Sequence, residues 1–173
     1  MSIVPGAALT RARRDAILSL CARAYAEDVR AYYDALEEPM HVLATIDGTL
    51  VSHAMWVTRW LAAGTRAPMR TAYVELVATE PARQRRGYAS AVMRHLMAAI
   101  QDYELAALGP SDAGTSLYEQ LGWQRWRGPL FIRHGDALVA TPDELVMIHP
   151  VSATSAMDLD DALSAEWREG ELW

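Results

Sequence analysis

The sequence predicts a mixed α/β fold in which helices and strands surround one sheet. Segments with a helical period of apolar residues alternate along the chain with short runs rich in strand-forming residues. No internal repeat or linker interrupts this order, and 173 residues are enough for one sizeable core. A hydrophobic content of 51% with 22% charged residues is ordinary for a globular protein. We therefore expect a single domain over residues 1–173.

The first half of the chain predicts two helices and three strands, two of which form a hairpin. Ile17, Leu18 and Cys21 fall on one face of a helix. Asp47-Gly48 is a typical two-residue hairpin turn, and the residues before it alternate as a strand does. The predicted elements are helices at 12–26 and 29–36 and strands at 41–46, 50–61 and 69–79.

The second half predicts helices and strands in turn. Pro81 ends the third strand, and Gly122 is a typical residue at the end of a helix. Val92 and Leu96 have the spacing of a buried helical face. The predicted elements are helices at 84–100 and 114–120, strands at 103–108, 123–133 and 145–149, and an amphipathic helical turn at 160–167.

Composition excludes several classes of protein. The net charge is −6, so no nucleic-acid partner is expected, because phosphate binding needs a dominant basic face. Cys21 is the only cysteine, which excludes a disulfide framework, and the five histidines lack the spacing of a zinc site, so no metal is expected. No signal-peptide pattern and no apolar run of roughly 20 residues is present, so we expect a cytoplasmic protein with no membrane partner.

Charge is concentrated in three places along the chain. Five acidic residues and one arginine give residues 27–38 a net charge of −4, and six acidic residues and one arginine give residues 158–173 a net charge of −5. Arg83, Arg85 and Arg86 form a basic cluster. One part of the molecule is therefore suited to a polyanion and another to a polycation.

The segment with the clearest chemistry joins the strand at 69–79 to the next helix. Residues 84–89 have the sequence QRRGYA. The first N–H groups of a helix have no partner within the helix and suit a phosphate. Gly87 allows the backbone to approach a ligand closely, and Arg85 and Arg86 add positive charge. The sequence therefore predicts an anion-binding cradle at this junction.

This junction resembles the acetyl-CoA signature of the GNAT superfamily of N-acetyltransferases, in which Gln/Arg-x-x-Gly-x-Gly/Ala follows a strand. Residues 116–123, SLYEQLGW, are similar to a second hallmark, a short helix with a tyrosine followed by glycine and an aromatic residue. The resemblance implies acetyl-CoA as acetyl donor and the GNAT fold, a central, mixed, largely antiparallel twisted sheet flanked by helices. The residues that it implies for acetyl-CoA binding are Val77, Thr79, Gln84, Arg85, Arg86, Gly87, Tyr88, Ala89 and Tyr118.

Segments spread over almost the whole chain resemble the aminoglycoside 2′-N-acetyltransferases. They are YVELVAT at 73–79, LYEQLGW at 117–123 with WRGP after it, and DDALSAEWREGELW at 160–173. The resemblance implies acetylation of the 2′-amino group of a small cationic amino sugar. This substrate is either a classical aminoglycoside, the larger of the two, or kasugamycin, and its acetylation confers antibiotic resistance. It also implies a homodimer, for which the apolar strands after 123 offer a surface. The carboxylates that it places around the substrate belong to Asp28, Glu75, Glu144, Glu171 and the α-carboxyl group of Trp173.

A carboxylate is the expected base, since members of the superfamily commonly take the amine's proton through ordered water. Glu75 interrupts an apolar strand, where a charge needs a reason, so Glu75 and the Trp173 carboxylate are the candidates. The sheet is expected to splay after Glu75, so that the pantetheine arm pairs with backbone groups at Val77 and Thr79. An N–H at Leu76 or Val77 then holds the thioester oxygen.

Direct transfer from acetyl-CoA to the amine, without an acyl-enzyme, is the expected mechanism. Cys21 lies on the apolar face of the first helix, and the sequence offers no neighbouring histidine or lysine to lower the pKa of its thiol. By resemblance, Tyr118 protonates the departing thiolate, because a tyrosine hydroxyl is neutral at pH 7 and a good donor.

Two alternatives remain open. The first is a member of the same superfamily that acetylates another small amine or a peptide amine. The second is a non-catalytic module that binds acyl-CoA but has lost catalysis. The acidic stretches favour a small cation over an extended peptide, and the presence of Glu75 and Tyr118 favours an enzyme over a binding module.

Overall fold

A computed structural model of the protein describes residues 1–135, 137–151, 157–170 and 172–173. The chain divides into two compact units. Unit 1 contains Met1–Val57 and Val74–Ala99, and unit 2 contains Thr58–Tyr73 and Ile100–Trp173. Two long strands, β3 (Thr49–Ala63) and β4 (Met69–Thr79), contribute residues to both units. The expected single domain over residues 1–173 stays a prediction.

Unit 1 combines three helices with antiparallel strands. Its elements are β1 (Ser2–Pro5), α1 (Arg11–Tyr25), α2 (Arg30–Ala35), β2 (Met40–Ile46), the first part of β3, the second part of β4 and α3 (Tyr88–Ala99). Strand β2 pairs with β1 on one side and with β3 on the other. The Thr10 side chain accepts a hydrogen bond from the Arg13 N–H, 3.3 Å, and so caps α1, as is usual for a threonine at this position.

The core of unit 1 lies between helix α1 and the strands. Ile17, Leu20 and Cys21 of α1 are fully buried and pack with Met55 of β3 and Leu76 of β4. These α1 residues recur at helical spacing, which places them on one face of the helix. The predicted apolar face of the first helix is thereby confirmed, and it positions the middle of β4.

Unit 2 consists mainly of strands. Its elements are the rest of β3 and β4, β5 (Leu105–Leu108), α4 (Asp112–Gln120), β6 (Gln124–Arg125), β7 (Leu130–His134), β8 (Ala137–Ala140), β9 (Met147–His149) and β10 (Leu163–Glu166). Strand β5 pairs parallel with β4 and antiparallel with β9. Strand β10 pairs antiparallel with β3 and parallel with β7. The strands are thus mixed but largely antiparallel and are accompanied by helices, which confirms the predicted fold class.

Arg59 of β3 ties the last part of the chain to unit 2. Its side chain is only 2% exposed. Its two Nη atoms donate to the carbonyl oxygens of Leu172 and Glu166, both at 2.7 Å, and its guanidinium lies 4.9 Å from the centre of the Tyr73 ring. A buried guanidinium needs such partners to compensate for lost hydration. Arg59 therefore anchors the backbone at Glu166 and at Leu172 within its unit.

Two predicted elements differ from the structure in unit 2. The helical turn expected at 160–167 is wrong, because residues 163–166 form β10. The strand expected at 123–133 is interrupted after β6, where the N–H groups of Arg127 and Gly128 both donate to the Leu159 carbonyl at 2.9 Å. Pairing within unit 2, which single-sequence periodicity does not report, decides both outcomes.

Helix α3 begins at Tyr88 rather than at the predicted residue 84. Arg85 and Gly87 have φ angles of 57° and 82°, which no α-helical residue adopts. Strands β1 and β8 were not among the predicted elements. Among the described residues, no helix is long and apolar enough to cross a membrane.

Gly128 is the position where we expect the largest loss of stability from one added methyl group. A Cβ atom there would lie 1.9 Å from the Asp161 carbonyl oxygen and 2.5 Å from that of Asp160, so the backbone must move. We expect Gly128→Ala to lower the free energy of unfolding by about 3 kcal/mol, measured by chemical denaturation. Gly109→Ala is the matched control, since its Cβ would meet no atom closer than 3.6 Å. Equal losses for the two variants would contradict the prediction.

Candidate active site

The loop before α3 has the backbone of an anion-binding cradle. Arg85 and Gly87 both have positive φ angles, and alternation of such residues with ordinary ones turns successive N–H groups toward one side. The loop is exposed, and a Cβ atom on Gly87 would have no neighbour within 4 Å. The Ala91 N–H donates to the Gly87 carbonyl, 2.9 Å, so α3 continues directly from the loop. The predicted cradle at 84–89 thus lies at a helix start with open space before it.

The side chains of this loop suit a polyanion. Among the described parts of the chain, no carboxylate pairs with the guanidinium groups of Arg85 and Arg86, and both residues are exposed. Unpaired guanidinium groups beside a row of backbone N–H groups attract phosphates. The loop therefore has the charge and backbone that suit a pyrophosphate, while the predicted binding of acetyl-CoA by this segment, which includes Gln84, Tyr88 and Ala89, stays a prediction.

Strand β4 breaks its regular geometry at Leu76. Its φ angle is 46°, a left-handed conformation that is rare for a leucine, and its side chain is buried. The Leu76 carbonyl accepts a hydrogen bond from Nδ1 of His53, 2.9 Å, and the Val77 carbonyl accepts one from the Tyr25 hydroxyl, 2.9 Å. The break occurs where the sheet was expected to splay, directly after Glu75.

Thr79 and Val77 were predicted to present backbone groups to the pantetheine arm. The Thr79 hydroxyl is buried and shares a hydrogen bond of 2.8 Å with the Ser52 hydroxyl. This bond, with that from Ser52 to the Ala78 carbonyl at 3.1 Å, ties the end of β4 to β3. In unit 1 the side chain of Thr79 is therefore structural, while the predicted role of its backbone stays a prediction.

Glu75 is a buried carboxylate held by a tyrosine. It is 8% exposed, and the Tyr32 hydroxyl of α2 donates a hydrogen bond to its Oε2. Asp28, which was predicted to bind substrate, lies just before the same helix. It is exposed, and its Oδ1 accepts a hydrogen bond from the Arg30 N–H, 2.9 Å. Asp28 therefore closes a local turn. Helix α2 begins at Arg30, next to Asp28, and carries Tyr32, which bonds Glu75.

The sequence analysis missed a buried histidine pair. Nδ1 of His41 lies 3.0 Å from Nε2 of His53, and both rings are inaccessible to solvent. Burial lowers the pKa of His41 to about 4 and that of His53 to about 3. The expectation that Cys21 has no histidine neighbour is wrong, because its Sγ lies 4.0 Å from Nδ1 of His53. Burial raises the pKa of Cys21 to about 12, so its thiol stays protonated and unreactive.

This pair makes stability depend on pH. Both pKa values lie below 6.5, the ordinary value of histidine, so between about pH 6.5 and pH 4 the unfolded chain binds more protons than the folded one. Stability is therefore complete above pH 6.5 and falls as the pH drops. We expect the free energy of unfolding to be about 3 kcal/mol lower at pH 5.5 than at pH 7.5, measured by chemical denaturation. A His41→Gln, His53→Asn double variant should lose most of this difference, and an unchanged difference would contradict the prediction.

In unit 2, Tyr118 lies on α4 with its ring against Trp123. The ring centres are 6.1 Å apart, and the Trp123 N–H donates to the Tyr118 carbonyl, 3.0 Å. Tyr118 is mostly buried. A Cβ atom on Gly114, one turn earlier, would come within 2.9 Å of the Tyr118 ring. Gly114, just before the SLYEQLGW segment, thus leaves room for this tyrosine, and Trp123 at the end of the segment supports it.

The remaining predicted site residues of unit 2 lie near Thr141. The Trp173 indole is buried and donates from Nε1 to the Thr141 hydroxyl, 2.8 Å. The Glu144 N–H donates to the Thr141 carbonyl, 3.3 Å, and both residues line a cavity of about 610 Å³. Unit 2 therefore brings Trp173 and Glu144 together around one threonine. Glu171 lies outside the described residues. In the described chain, no group of three or more histidine, cysteine or acidic side chains is arranged to hold a metal ion.

The mixed α/β fold thus combines a strand broken at Leu76 with an exposed loop that has the backbone of an anion-binding cradle. The sequence profile described as "Acetyltransferase (GNAT) domain" matches residues 7–126, which is more than half of the chain. The chain belongs to this family, for which acetyl-CoA is the expected acetyl donor. The resemblance to the superfamily seen in the sequence is confirmed. The narrower resemblance to the aminoglycoside 2′-N-acetyltransferases stays a prediction.

Solved structures show the same fold at low sequence identity. Eis1 from Mycobacterium abscessus has a TM-score of 0.60 and 23% identity, and the match covers 71% of this chain and 32% of that one. The ribosomal-protein-S18-alanine N-acetyltransferase from Escherichia coli has a TM-score of 0.57 and 19% identity, and the match covers 91% of this chain and 96% of that one. An aminoglycoside 6′-N-acetyltransferase complexed with coenzyme A has a TM-score of 0.61 and 12% identity, and the match covers 91% of this chain and 100% of that one. The present chain thus spans about a third of the length of Eis1.

Gly87 is the residue whose replacement should most directly weaken acetyl-CoA binding. Holding a non-glycine residue at a φ of 82° costs about 1–3 kcal/mol, so Gly87→Ala should raise the Kd for acetyl-CoA about tenfold, measured by calorimetry. Gly135→Ala is the matched control. Gly135 also has a positive φ, 60°, and open space around it, but it lies between β7 and β8. If both variants weaken acetyl-CoA binding equally, the cradle is not at this loop.

Proposed function

We propose that the protein acetylates the 2′-amino group of an aminoglycoside, either a large aminoglycoside or kasugamycin, by direct transfer from acetyl-CoA, and that it thereby confers resistance. The observation that carries this proposal is Glu75. A carboxylate that is 8% exposed and held by the Tyr32 hydroxyl stands directly before the break in β4. Burying a carboxylate is costly, and a cationic amine that approaches this strand offsets the cost.

Each proposed role uses a group with suited chemistry. Acetyl-CoA, when bound, supplies the acetyl group as a thioester. Glu75 accepts the proton of the attacking amine through water, and the Tyr32 hydrogen bond keeps the carboxylate oriented. The N–H of Leu76 or Val77 stabilises negative charge on the acetyl oxygen. Tyr118 donates its proton to the departing thiolate. The Trp173 carboxylate is the second candidate for the base.

The acidic stretches at 27–38 and 158–173 support a cationic substrate. Acidic residues that already pair with an arginine of their own unit do not count toward this argument. Asp34 pairs with Arg14, Asp160 pairs with Arg127, and Glu166 contacts Arg59. Glu144 is exposed on the cavity of unit 2. We propose that Asp28, Glu144 and Glu171 contact the ammonium groups of the substrate. One neighbour in fold is named as an aminoglycoside 6′-N-acetyltransferase, which supports an amino sugar as substrate.

The test is a free-thiol assay with acetyl-CoA and a panel of acceptors. The panel includes kanamycin B, which carries a 2′-amine, kanamycin A, which carries a 2′-hydroxyl and is otherwise the same, kasugamycin, gentamicin, spermidine and a peptide with a free N-terminus. CoA release with kanamycin B but not with kanamycin A is the expected result. Equal release with both compounds points to another amine, such as the 6′-amine, and contradicts the proposed position. Expression in a sensitive host should raise the inhibitory concentration of the preferred compound, and the Tyr118→Phe variant should not.

The panel also decides between the alternatives. Turnover with the peptide alone identifies a peptide acetyltransferase, which is the activity named for the S18-alanine enzyme that shares the fold. Acetyl-CoA binding without turnover on any amine identifies a non-catalytic module. We also propose that the protein is cytoplasmic and forms a homodimer, and light scattering of the purified protein tests the dimer.

A further inference from the structure

We propose that His53 is a positioning residue of the acetyltransferase, which fixes the peptide group between Leu76 and Val77 through a chain of hydrogen bonds from Tyr33 and His41. The inference rests on the proposed use of an N–H at the break in β4. His53 lies on β3 and His41 on β2, and neither touches substrate in this proposal. All residues that take part in this series of hydrogen bonds belong to unit 1.

The protonation of the two rings follows from their partners. The Leu76 carbonyl can only accept, so Nδ1 of His53, 2.9 Å away, carries the proton and donates it. In the neutral ring Nε2 of His53 is then an acceptor, which requires a proton on Nδ1 of His41 at 3.0 Å. Nε2 of His41 is left to accept from the Tyr33 hydroxyl at 3.4 Å. In this series from Tyr33 to Leu76, each group therefore donates its hydrogen bond to the next group in the direction of Leu76.

This direction controls the backbone at the break. The carbonyl of Leu76 and the N–H of Val77 belong to one planar peptide group and point in opposite directions. Because His53 holds the carbonyl toward the interior of unit 1, the Val77 N–H is turned away from that interior. The left-handed φ of 46° at Leu76 is costly for a leucine, and the hydrogen bond from His53 compensates for part of that cost.

The groups around this series of hydrogen bonds leave the two imidazole rings neutral. The titratable groups that face it are Cys21 on α1 and Tyr33 on α2, and burial raises the pKa of both, so both remain neutral near pH 7. Arg14 lies over the Tyr33 ring, 5.4 Å from its centre, and is paired with Asp34 at the surface. Neutral rings are also what the lowered histidine pKa values require.

Two amide variants of His53 separate positioning from packing. Asparagine places its side-chain NH₂ group near the position of Nδ1 and can still donate to Leu76, whereas glutamine places its amide near Nε2 and cannot. We expect His53→Gln to lower kcat about tenfold or more, with the KM for acetyl-CoA changed less than about twofold, and His53→Asn to stay within about threefold of the wild type. Leu96→Ala makes a cavity in unit 1 outside the cluster that packs on Leu76, so it is the stability control and should leave kcat unchanged.

The tautomers give a readout that does not depend on an acceptor substrate. Long-range ¹H–¹⁵N spectra of the wild-type protein should show both rings neutral and protonated on Nδ1 from about pH 5 to pH 8. A proton on Nε2 of His53, or equal kcat values for the glutamine and asparagine variants, would overturn the inference. If no amine is acetylated, the proposed function fails while the spectra still decide the hydrogen-bond chain. If an amine is acetylated and His53→Gln keeps the wild-type kcat, the positioning role fails while the proposed function stands.

Discussion

Replacement of Tyr118 by phenylalanine is expected to lower kcat about 100-fold or more and to leave the Kd for acetyl-CoA unchanged. The variant removes one oxygen atom and keeps the ring, which packs on Trp123. Without the hydroxyl, the thiolate of coenzyme A leaves without a proton from the enzyme, and proton donation of this kind is typically worth a factor of 10² to 10⁴, roughly. Steady-state kinetics at several pH values and calorimetric titration with acetyl-CoA measure the two quantities.

Tyr103→Phe is the matched control for this experiment. Tyr103 is a second buried tyrosine of unit 2, and its hydroxyl is 2.9 Å from that of Thr58. Loss of this hydrogen bond should reduce stability by about 1 kcal/mol without an effect on kcat. If Tyr118→Phe has no larger effect on kcat than Tyr103→Phe, Tyr118 is a packing residue, and the leaving thiolate takes its proton from water.

Replacement of Glu75 by glutamine is expected to lower kcat about 100-fold and to remove the acidic limb of its pH profile. Glutamine keeps the size of the side chain and can still accept a hydrogen bond from Tyr32, but it cannot take a proton from the amine. The acidic limb reports ionisation of the base, so its loss identifies the group. The measurement is kcat against pH with the best acceptor from the panel.

Glu80→Gln controls for the loss of a negative charge near β4. Glu80 follows the strand directly and pairs with Arg23, 2.7 Å, on the surface of unit 1. Its replacement should leave kcat within about twofold of the wild type, since exposed ion pairs contribute little. If Glu75→Gln retains both kcat and the acidic limb, the base is another carboxylate, and the Trp173 carboxylate becomes the leading candidate.

The sequence predicts the helices, the hairpin and the phosphate cradle because these depend on local signals. The apolar face of α1, the Asp47-Gly48 turn and the glycine before α3 each act over a few residues. The end of the chain was assigned the wrong secondary structure for the opposite reason. Residues 163–166 form a strand because β3 and β7 pair with them, and neither partner is close in sequence.

A motif in the sequence marks some residues of the proposed site, whereas a residue that acts through another residue carries no such mark. Gly87 and Tyr118 stand within recognisable patterns, so their positions follow from the sequence. His41 and His53 are twelve residues apart on neighbouring strands, a spacing that matches no motif and becomes meaningful only when β2 pairs with β3. The break at Leu76 was expected near its place from resemblance, but the histidine that supports it was not.

The position of β10 has a consequence for the biosynthesis of the protein. Leu163 and Ser164 pair with Ala63 and Ala62, so the end of β3 waits on this side for residues made about one hundred positions later. At typical translation rates of about 5–20 residues per second, the nascent chain carries this unpaired edge for roughly 5–20 s. The parts of unit 1 have all been synthesised by Ala99, well before this edge is covered. Unit 1 can therefore fold first on the ribosome, while the end of β3 stays open to pairing with another chain until β10 has been made.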